Sequence, residues 1–256
     1  MQSVTQDEQT VVGQFEDQIE RWTAHAWTHS LLVPFLLDWL KAHPDWLDER
    51  QLLEVCEFGG GGGILLGQLH EQLGERVTLY NAELVDGYRA HQSTEAIHFM
   101  RMSILDSGLP DDRFDVVMMR FVLHHLIGRT WAQARENQAL ALCEMLRLAK
   151  PGGLVLIQEQ VVQPALACRM IYGLSRLASA LKLRIDSFEV SPNTVIAYMT
   201  RDQFVALCEG IAPPSSWLAN VYKRRKMSLR WKLTLLMNNN GDAFVAIQKP
   251  CAQQTI

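Results

Sequence analysis

The sequence predicts an α/β fold, in which helices cover both faces of a doubly wound, mostly parallel sheet of seven strands. Five apolar segments alternate with helical segments between residues 52 and 159, which is the pattern of a parallel sheet with right-handed crossovers. Two more strand patterns near the carboxyl-terminal end predict an antiparallel edge. With 256 residues, of which 48% are hydrophobic, the chain is long enough to bury one large core.

The amino-terminal part of the chain is predicted to be helical and separate from the sheet. Residues 1–13 are polar and are expected to be loosely attached. Apolar residues at helical spacing predict one helix over residues 14–30 and a second over residues 31–42, which a His-Pro pair ends. We therefore treat residues 1–45 as a helical lid and residues 46–256 as the main domain.

In the main domain, turn and capping signals mark the ends of the predicted elements. T-x-x-Q sequences begin helices at Thr130 and Thr200. The helix that follows the first predicted strand ends at a glycine, Gly74. The segment 161–199, with a helical pattern over residues 165–181, is expected to form an inserted cap. The seven predicted strands cover residues 52–58, 76–82, 97–104, 114–120, 154–159, 217–223 and 243–248.

Five consecutive glycines, Gly59–Gly63, join the first predicted strand to the helix that follows it. A glycine turn in this place brings backbone N–H groups close to a ligand, whereas a flexible linker would not separate a buried strand from an amphipathic helix. Glu83, at the end of the second strand, is placed to accept hydrogen bonds from ribose hydroxyls. The dinucleotide fingerprint needs a glycine five residues after its first, and that position is apolar here, which disfavours an NAD(P) oxidoreductase.

Charge, cysteines and hydropathy disfavour several other classes. The net charge is −4, but segment 222–232 holds six basic residues and no acidic ones; the acidic remainder disfavours nucleic acid as a partner. The five cysteines form no paired motif, and His25 and His29 lack a third ligand, so no metal site is expected. The polar amino terminus carries no secretory signal and no apolar run is long enough to span a bilayer, which predicts a cytoplasmic protein without a membrane partner.

Three motifs resemble those of the class I S-adenosylmethionine-dependent methyltransferases. Glu57-x-Gly59-x-Gly61-x-Gly63 resembles their first motif, which does not require Gly60 or Gly62. Residues 114–126 (FDVVMMRFVLHHL) resemble the fourth-strand region of members that act on small molecules, and residues 146–153 (LRLAKPGG) resemble the segment before strand five. The resemblance implies a Rossmann-like methyltransferase fold and S-adenosylmethionine as the cofactor.

The resemblance also implies which residues hold the cofactor. Glu57 and the alternating glycines would face the methionine moiety, and Glu83 would bind the ribose hydroxyls. Leu84 and Ile104 would lie beside the adenine, while Ser103 stands where the family usually has an acid. The implied set is Glu57, Gly59, Gly61, Gly63, Glu83, Leu84, Ser103, Ile104, Arg120 and Phe121.

His125 is the predicted general base. It resembles the histidine after strand four in phosphoethanolamine- and benzylisoquinoline-type methyltransferases, and an ordinary imidazole titrates near neutral pH. The alternative is that His125 packs beneath the following helix. Aromatic and apolar residues in the lid and the cap predict a small apolar or aromatic acceptor, with methylation at oxygen favoured. The candidate acceptor residues are Trp22, His25, His124, Arg169 and Tyr172.

Two other functions stay open on the sequence. The first is an enzyme with this fold but non-methylating chemistry, such as a cyclase, to which the departure at Ser103 points. The second is an RNA methylase that uses segment 222–232. It is disfavoured because Arg120-Phe121-Val122 replaces the Asn/Asp-Pro-Pro-Tyr of methylases that act on amino groups. We expect a biosynthetic enzyme that is a monomer or a homodimer.

Overall fold

The computed structural model of the protein describes residues 5–16, 19–20, 30–183, 194–226, 232 and 234–251. Its strands are β1 (Leu53–Phe58), β2 (Val77–Glu83), β3 (Ile97–Arg101), β4 (Phe114–Arg120), β5 (Ala149–Gln163), β6 (Trp217–Arg224) and β7 (Asn239–Gln248). They form one sheet in the order β3-β2-β1-β4-β5-β7-β6. Neighbours among β1 to β5 run parallel, and β7 runs antiparallel to β5 and β6. The predicted fold class is therefore confirmed.

The α-helices within the described residues are α1 (Gln6–Glu16), α2 (Leu32–Ala42), α3 (Pro44–Asp48), α4 (Ile64–Leu73), α5 (Trp131–Leu148), α6 (Ala165–Ala180) and α7 (Arg201–Ile211). The Thr200 side chain and the Gln203 side chain cap α7 reciprocally, as the sequence predicts. At α5 the Thr130 side chain accepts from the Gln133 N–H, but the Gln133 side chain accepts from the N–H of Arg129 instead. In the part of the chain that the structure describes, no helix is both long and apolar enough to cross a bilayer.

The amino-terminal residues depart from the expectation of a loosely attached tail, because α1 begins at Gln6. The Thr5 N–H donates to Glu8 Oε2 at 2.8 Å, and the Glu8 N–H donates to Thr5 Oγ1 at 3.2 Å. This reciprocal cap follows from the T-x-x-E spacing, a signal present in the sequence. Most of the helix predicted over residues 14–30 lies outside the described residues.

The insert also begins later than predicted. β5 extends past the predicted end at residue 159 to Gln163, because β7 pairs with it as far as Asn239. Residues 161–163 therefore belong to the sheet, and α6 is the helical part of the insert.

The core lies on both faces of the sheet. Alternate side chains of β4 point to opposite sides, so that Val117 packs with α5 and α7 while Val116 packs with α2 and α4. Strands covered on both faces need apolar residues at nearly every position, which explains the uninterrupted apolar segments in the sequence. With helices on both faces, the carboxyl ends of the parallel strands are the edge at which a ligand site can form.

A cluster of ion pairs ties the strands together at the opposite edge. Asp115, on β4, is almost fully buried and accepts hydrogen bonds from Arg50 Nε at 3.0 Å, from Lys150 Nζ at 3.0 Å and from the Glu54 N–H at 2.9 Å. Lys150 also pairs with Glu54 at 3.0 Å. The lysine of the K-P-G-G segment is therefore a structural residue that joins β5 to β1 and β4.

We expect Asp115→Ala to lower the free energy of unfolding by about 3 kcal/mol, because two cations and a backbone N–H lose a buried acceptor. Urea denaturation would measure the change. The matched control is Asp38→Ala, whose ion pair with Lys41 is at the surface and should change stability by less than about 0.5 kcal/mol. Equal effects of the two substitutions would contradict a stabilising role for the cluster.

Candidate functional site

The carboxyl ends of β1, β2, β4 and β5 border one cavity of about 1130 Å³. The chain crosses over between β1 and β4, which is the switch point where open α/β sheets bind ligands. Its walls are the glycine loop, the segments after β2, β3 and β4, and the helices α1 and α6. The volume exceeds the range of about 300–1,000 Å³ that is usual for one ligand, so there is room for two molecules side by side.

The glycine loop needs glycine at more positions than the sequence motif requires. Gly59, Gly61 and Gly63 have positive φ angles of 66°, 54° and 68°, which other residues rarely adopt. A Cβ on Gly60 would lie 2.7 Å from Asn81 Oδ1 and 2.8 Å from Glu57 Oε2. Gly60 is therefore required by close approach rather than by its backbone conformation.

Side chains of β2 and of the segment after it form hydrogen bonds with the glycine loop. Glu83 accepts hydrogen bonds from the N–H groups of Gly61 and Val85, each at 3.0 Å. Asn81 Nδ2 donates to the Gly61 carbonyl at 2.8 Å, and Gln92 Nε2 donates to the same oxygen at 3.1 Å. Burial raises the pKa of Glu83, although these backbone hydrogen bonds oppose the rise. The network fixes the loop and places Glu83 on the cavity wall.

Glu57, at the end of β1, is a buried carboxylate that suits a cationic partner. Its Oε2 atom and the nearby Asn81 Oδ1 are buried and have no hydrogen-bond partner among the described residues. Burial raises the pKa of Glu57 to about 7; Arg120 opposes the rise and Glu83 adds to it. Two acceptors without donors beside a glycine loop fit a ligand that carries an ammonium group, such as the methionine moiety of S-adenosylmethionine.

The residues that the resemblance places beside the adenine also lie together in the structure. Leu84, Ser103 and Ile104 line the cavity, and Ile104 is buried. Ser103 Oγ accepts from the Leu105 N–H at 3.1 Å, which leaves its hydroxyl proton to donate. Tyr88, which no spacing in the sequence singles out, is buried against Gly61 and lines the same wall.

Arg120, the last residue of β4, and Phe121, which follows it, line the cavity. Phe121 has a positive φ of 58° and donates its N–H to the Gln158 carbonyl at 2.9 Å; such a strained backbone is typical of a functional site. Burial lowers the pKa of the Arg120 guanidinium, whereas Glu57 and Asp242 oppose the change. Arg225, from the basic segment, pairs with Asp242 and also faces the cavity.

The two histidines sit on one short turn after β4, and both line the cavity. His124 is buried, and its Nδ1 lies 2.6 Å from Oε1 of Glu159, a residue with no exposed surface. Its ring stacks on Tyr198 with 5.0 Å between centroids. His125 meets the edge of Phe15 from α1 at 4.9 Å. Burial, reinforced by the charge of His124, holds the pKa of His125 well below its ordinary range.

The predicted acceptor residues are only partly brought together. His124 lies in the site, but Tyr172 and Arg169 do not line the cavity, and Trp22 and His25 lie outside the described residues. Tyr172 donates its hydroxyl to the Gly128 carbonyl at 2.6 Å, and Arg169 is exposed. The wall that α6 contributes consists instead of Ile171, Leu174, Ser175, Leu177 and Ala178.

Sequence reasoning missed Glu159 and Gln14. Glu159 stands at the end of the fifth predicted strand, where carboxyl ends converge, so a signal for it existed. Gln14 is buried in α1 and lines the cavity, but nothing in the sequence distinguishes it. Among the described residues, no group of three His, Cys, Asp or Glu side chains is arranged to hold a metal ion.

Comparison with known proteins gives one family match. Residues 56–157 match a family model described as a methyltransferase domain. No curated protein sequence matched.

Several solved structures are similar to this one. The [4+2]-cyclase SpnF is 12% identical in sequence with a TM-score of 0.53, and the match covers 81% of this chain and 80% of the SpnF chain. An arsenic(III) S-adenosylmethionine methyltransferase from Chlamydomonas reinhardtii is 14% identical with a TM-score of 0.54, covering 80% and 66%. A SAM-dependent methyltransferase from Methanosarcina mazei is 15% identical with a TM-score of 0.53, covering 79% and 95%. These similarities show a shared fold.

Proposed function

We propose that the chain, whose residues 56–157 match a methyltransferase domain, methylates a small, largely apolar organic acceptor at an oxygen atom and uses S-adenosylmethionine as the methyl donor. The observation that carries this proposal is the end of the cavity at β1 and β2. There the glycine loop and Glu83 line the cavity, and the unpartnered Oε2 of Glu57 is buried beside Gly60 of that loop, without itself lining the cavity. When bound, S-adenosylmethionine supplies an electrophilic methyl group on a sulfonium.

Charge and shape divide the binding roles along the cavity. Glu57 would hold the ammonium group of the cofactor, and Glu83 would accept from its ribose hydroxyls. Leu84, Tyr88 and Ile104 would pack on its adenine. Two carboxylates at this end would repel phosphate groups, which supports S-adenosylmethionine, whose net charge is positive, rather than an anionic nucleotide.

The opposite wall supports an apolar acceptor. The side chains that α6 and its neighbouring segments present to the cavity are mostly aliphatic, among them Ile171, Leu174, Leu177, Ile196 and Met237. Such a wall gives affinity to hydrocarbon and aromatic groups by burial of apolar surface.

The amino-terminal helix is proposed to act as a lid over the acceptor. Val11, Gln14 and Phe15 of α1 form part of the cavity wall. Asp7 of α1 lies 3.4 Å from Arg176 of α6, so the two helices that border the acceptor side are linked. A helix that closes over the site would exclude water during methyl transfer.

We propose that His125 contacts the reacting atom of the acceptor. Its lowered pKa leaves the imidazole unprotonated at neutral pH, so that it can accept a hydrogen bond from a hydroxyl and orient it. Packing against Phe15 agrees in part with the alternative that His125 is a structural residue. The turnover of His125→Ala decides between these two roles.

Incubation with methyl-labelled S-adenosylmethionine and a panel of phenols, alcohols and carboxylic acids tests the proposal. Label in an acceptor supports methyl transfer. The similarity to SpnF and the serine at position 103 favour one second candidate, non-methylating chemistry on this fold. S-adenosylmethionine that binds without any label reaching a product, while a substrate is converted, would establish that candidate and overturn ours.

We expect Glu83→Ala to weaken S-adenosylmethionine binding by about 1–3 kcal/mol, because the ribose loses a charged acceptor. The Gly61 N–H also loses its partner, which loosens the loop. Isothermal titration calorimetry measures the change. Asp86→Ala is the control, since Asp86 is exposed, pairs only with Arg89 among the contacts described, and lies three residues away. Unchanged affinity in Glu83→Ala would refute the ribose assignment.

A further inference from the structure

Glu159 is a buried carboxylate to which the proposed reaction so far gives no role. It has no exposed surface, and its Oε1 lies 2.6 Å from His124 Nδ1 and accepts from the Gln160 N–H, also at 2.6 Å. A carboxylate can only accept at this distance, so neutral His124 carries its proton on Nδ1. The lone pair of His124 is therefore on Nε2.

The two histidines differ in how well the protein can hold a proton on them. His125 Nδ1 is buried without a hydrogen-bond partner among the described residues, and burial lowers the pKa of His125 well below its ordinary range. An imidazolium at that position would be a buried charge with no counter-ion in the part of the chain that the structure describes, which is costly. His124 has its counter-ion in direct contact. A positive charge on His124 also disfavours one on His125, because their ring centroids are 4.1 Å apart.

We propose that His124 accepts the proton of the methyl acceptor and that Glu159 is the residue that positions His124 and balances its charge. This inference rests on the proposed function and deepens it. As the acceptor oxygen forms its bond to the methyl carbon, the bond from that carbon to the sulfonium sulfur would break and leave its electron pair on a neutral thioether, and the O–H bond of the acceptor breaks. Its proton goes to Nε2 of His124, and its electron pair stays on the oxygen. His125 orients the hydroxyl and takes no proton.

The remaining surroundings hold the pair in place. Tyr198 stacks on the His124 ring, and the His124 carbonyl accepts from the Ala197 N–H at 2.8 Å. Among the described residues, Arg135 and Asp242 are charged groups that interact electrostatically with Glu159. Burial lowers the pKa of Arg135 to about 10, with Cys168 and Glu159 opposing the change. Burial raises the pKa of Asp242, against the effect of Arg225 and with that of Glu159.

Nitrogen-15 spectra of the histidine rings test the pair without any acceptor. In the wild type, neutral His124 should carry its proton on Nδ1. Glu159→Gln should keep this tautomer, because the Gln160 N–H still needs an oxygen at the Oε1 position. Glu159→Ala should lose the preference for Nδ1. A wild-type His124 protonated on Nε2 would overturn the inference, whatever the enzyme methylates.

Kinetics with the fastest proton-bearing acceptor of the panel test the proton transfer. General-base catalysis contributes about 10²–10⁴-fold, so His124→Ala should lower kcat by about that factor with little change in KM. Glu159→Gln should lower kcat by at least about 10-fold although the tautomer is kept, because only the charge is lost. A purely structural Glu159 would change thermal stability and leave kcat intact.

The histidine comparison separates this inference from its alternative. His125→Ala should lower kcat by less than about 10-fold, and His91→Ala, at an exposed position that does not line the cavity, should change nothing. If His125→Ala lowers kcat more than His124→Ala does, His125 is the general base and the inference is overturned. If no acceptor is methylated by the wild type, the proposed function fails, while the ring spectra still decide whether Glu159 fixes His124.

Discussion

Glu57→Gln should make the protein more stable and its cofactor binding weaker. The pKa of Glu57 is raised from 4.5 to about 7, because the buried carboxylate is costly to ionise in the folded chain. In the unfolded chain it ionises near 4.5, so its contribution to stability falls as the pH rises from 4.5 to 7. Over this interval the loss is about 3 kcal/mol, at about 1.4 kcal/mol for each pH unit.

Removal of the charge removes that cost. At pH 8, without cofactor, Glu57→Gln should unfold at a higher urea concentration than the wild type, and the difference should disappear near pH 4.5. The new amide N–H₂ would also face Asn81 Oδ1. Both the Glu57 and the Asn81 oxygens lie within 3 Å of the place where a Gly60 Cβ would be, and both are acceptors in the wild type. The glutamine amide would donate a hydrogen bond to Asn81 Oδ1. Two facing oxygens that both only accept would thus be replaced by a donor and an acceptor.

The same substitution should weaken S-adenosylmethionine binding by about 2–3 kcal/mol, or about 30–150-fold in Kd, because the ammonium group loses a buried charged acceptor. Glu71→Gln, an exposed change on α4, is the control for both measurements. Cofactor binding to the wild type near pH 7 should also release protons, since bound cations favour ionised Glu57. Titration calorimetry in two buffers of different ionisation enthalpy detects that release. A less stable Glu57→Gln at pH 8, or an unchanged Kd, would contradict the role of Glu57.

Gly60→Ala should abolish measurable cofactor binding while the fold survives. The added Cβ would sit 2.7–2.9 Å from Asn81 Oδ1 and from two atoms of the Glu57 carboxylate, closer than real contacts allow. Asn81 cannot move freely because it is tied to the Gly61 carbonyl and to Gln92, and the Glu57 side chain is buried beside it. The loop must therefore shift towards the cavity, into the volume that the cofactor needs. We expect at least about a 100-fold loss of affinity and a loss of about 1–3 kcal/mol in stability.

Gly173→Ala provides the matched control. Gly173 lies within α6, a Cβ there would meet no atom within 4 Å, and its φ is not positive. Alanine in a helix is favoured over glycine by about 0.5–1 kcal/mol, so this variant should be slightly more stable and bind cofactor normally. If Gly60→Ala behaves like Gly173→Ala, the loop does not approach its neighbours as closely as described.

Local patterns in the sequence were enough to predict the fold and to suggest which residues form the cofactor end of the site. A buried strand, a glycine turn and a helix are contiguous, and Glu83, the acid that ends β2, follows at a short distance along the chain. Gly60 could not be explained in this way. Its requirement depends on Asn81, which lies beside Glu57 only because β1 and β2 pair in that register. Register is a property of the assembled sheet.

The residues at the acceptor end of the site were harder to predict. The sequence does not show which of two adjacent histidines, or which face of a helix, points into the cavity. His124 and His125 are neighbours, and only the pairing of β4 with β5, Arg120 opposite Gln158, shows which imidazole meets Glu159. Helix α6 carries apolar side chains on more than one face. Its periodicity therefore could not tell that Leu174 and Leu177 face the cavity whereas Tyr172 packs against the Gly128 segment.

The walls of the cavity come from segments that lie far apart in the sequence, and this determines when the site is completed during synthesis. Gln14 of α1 and Asn240 of β7 border the same cavity, and β7 inserts beside β5 only after β6 has been made. The glycine loop and its acids can form early, from β1 and β2. The part of the cavity that is proposed to hold the acceptor has no complete wall until β7 has left the ribosome. A nascent chain would thus acquire the framework of the cofactor loop well before it could enclose an acceptor.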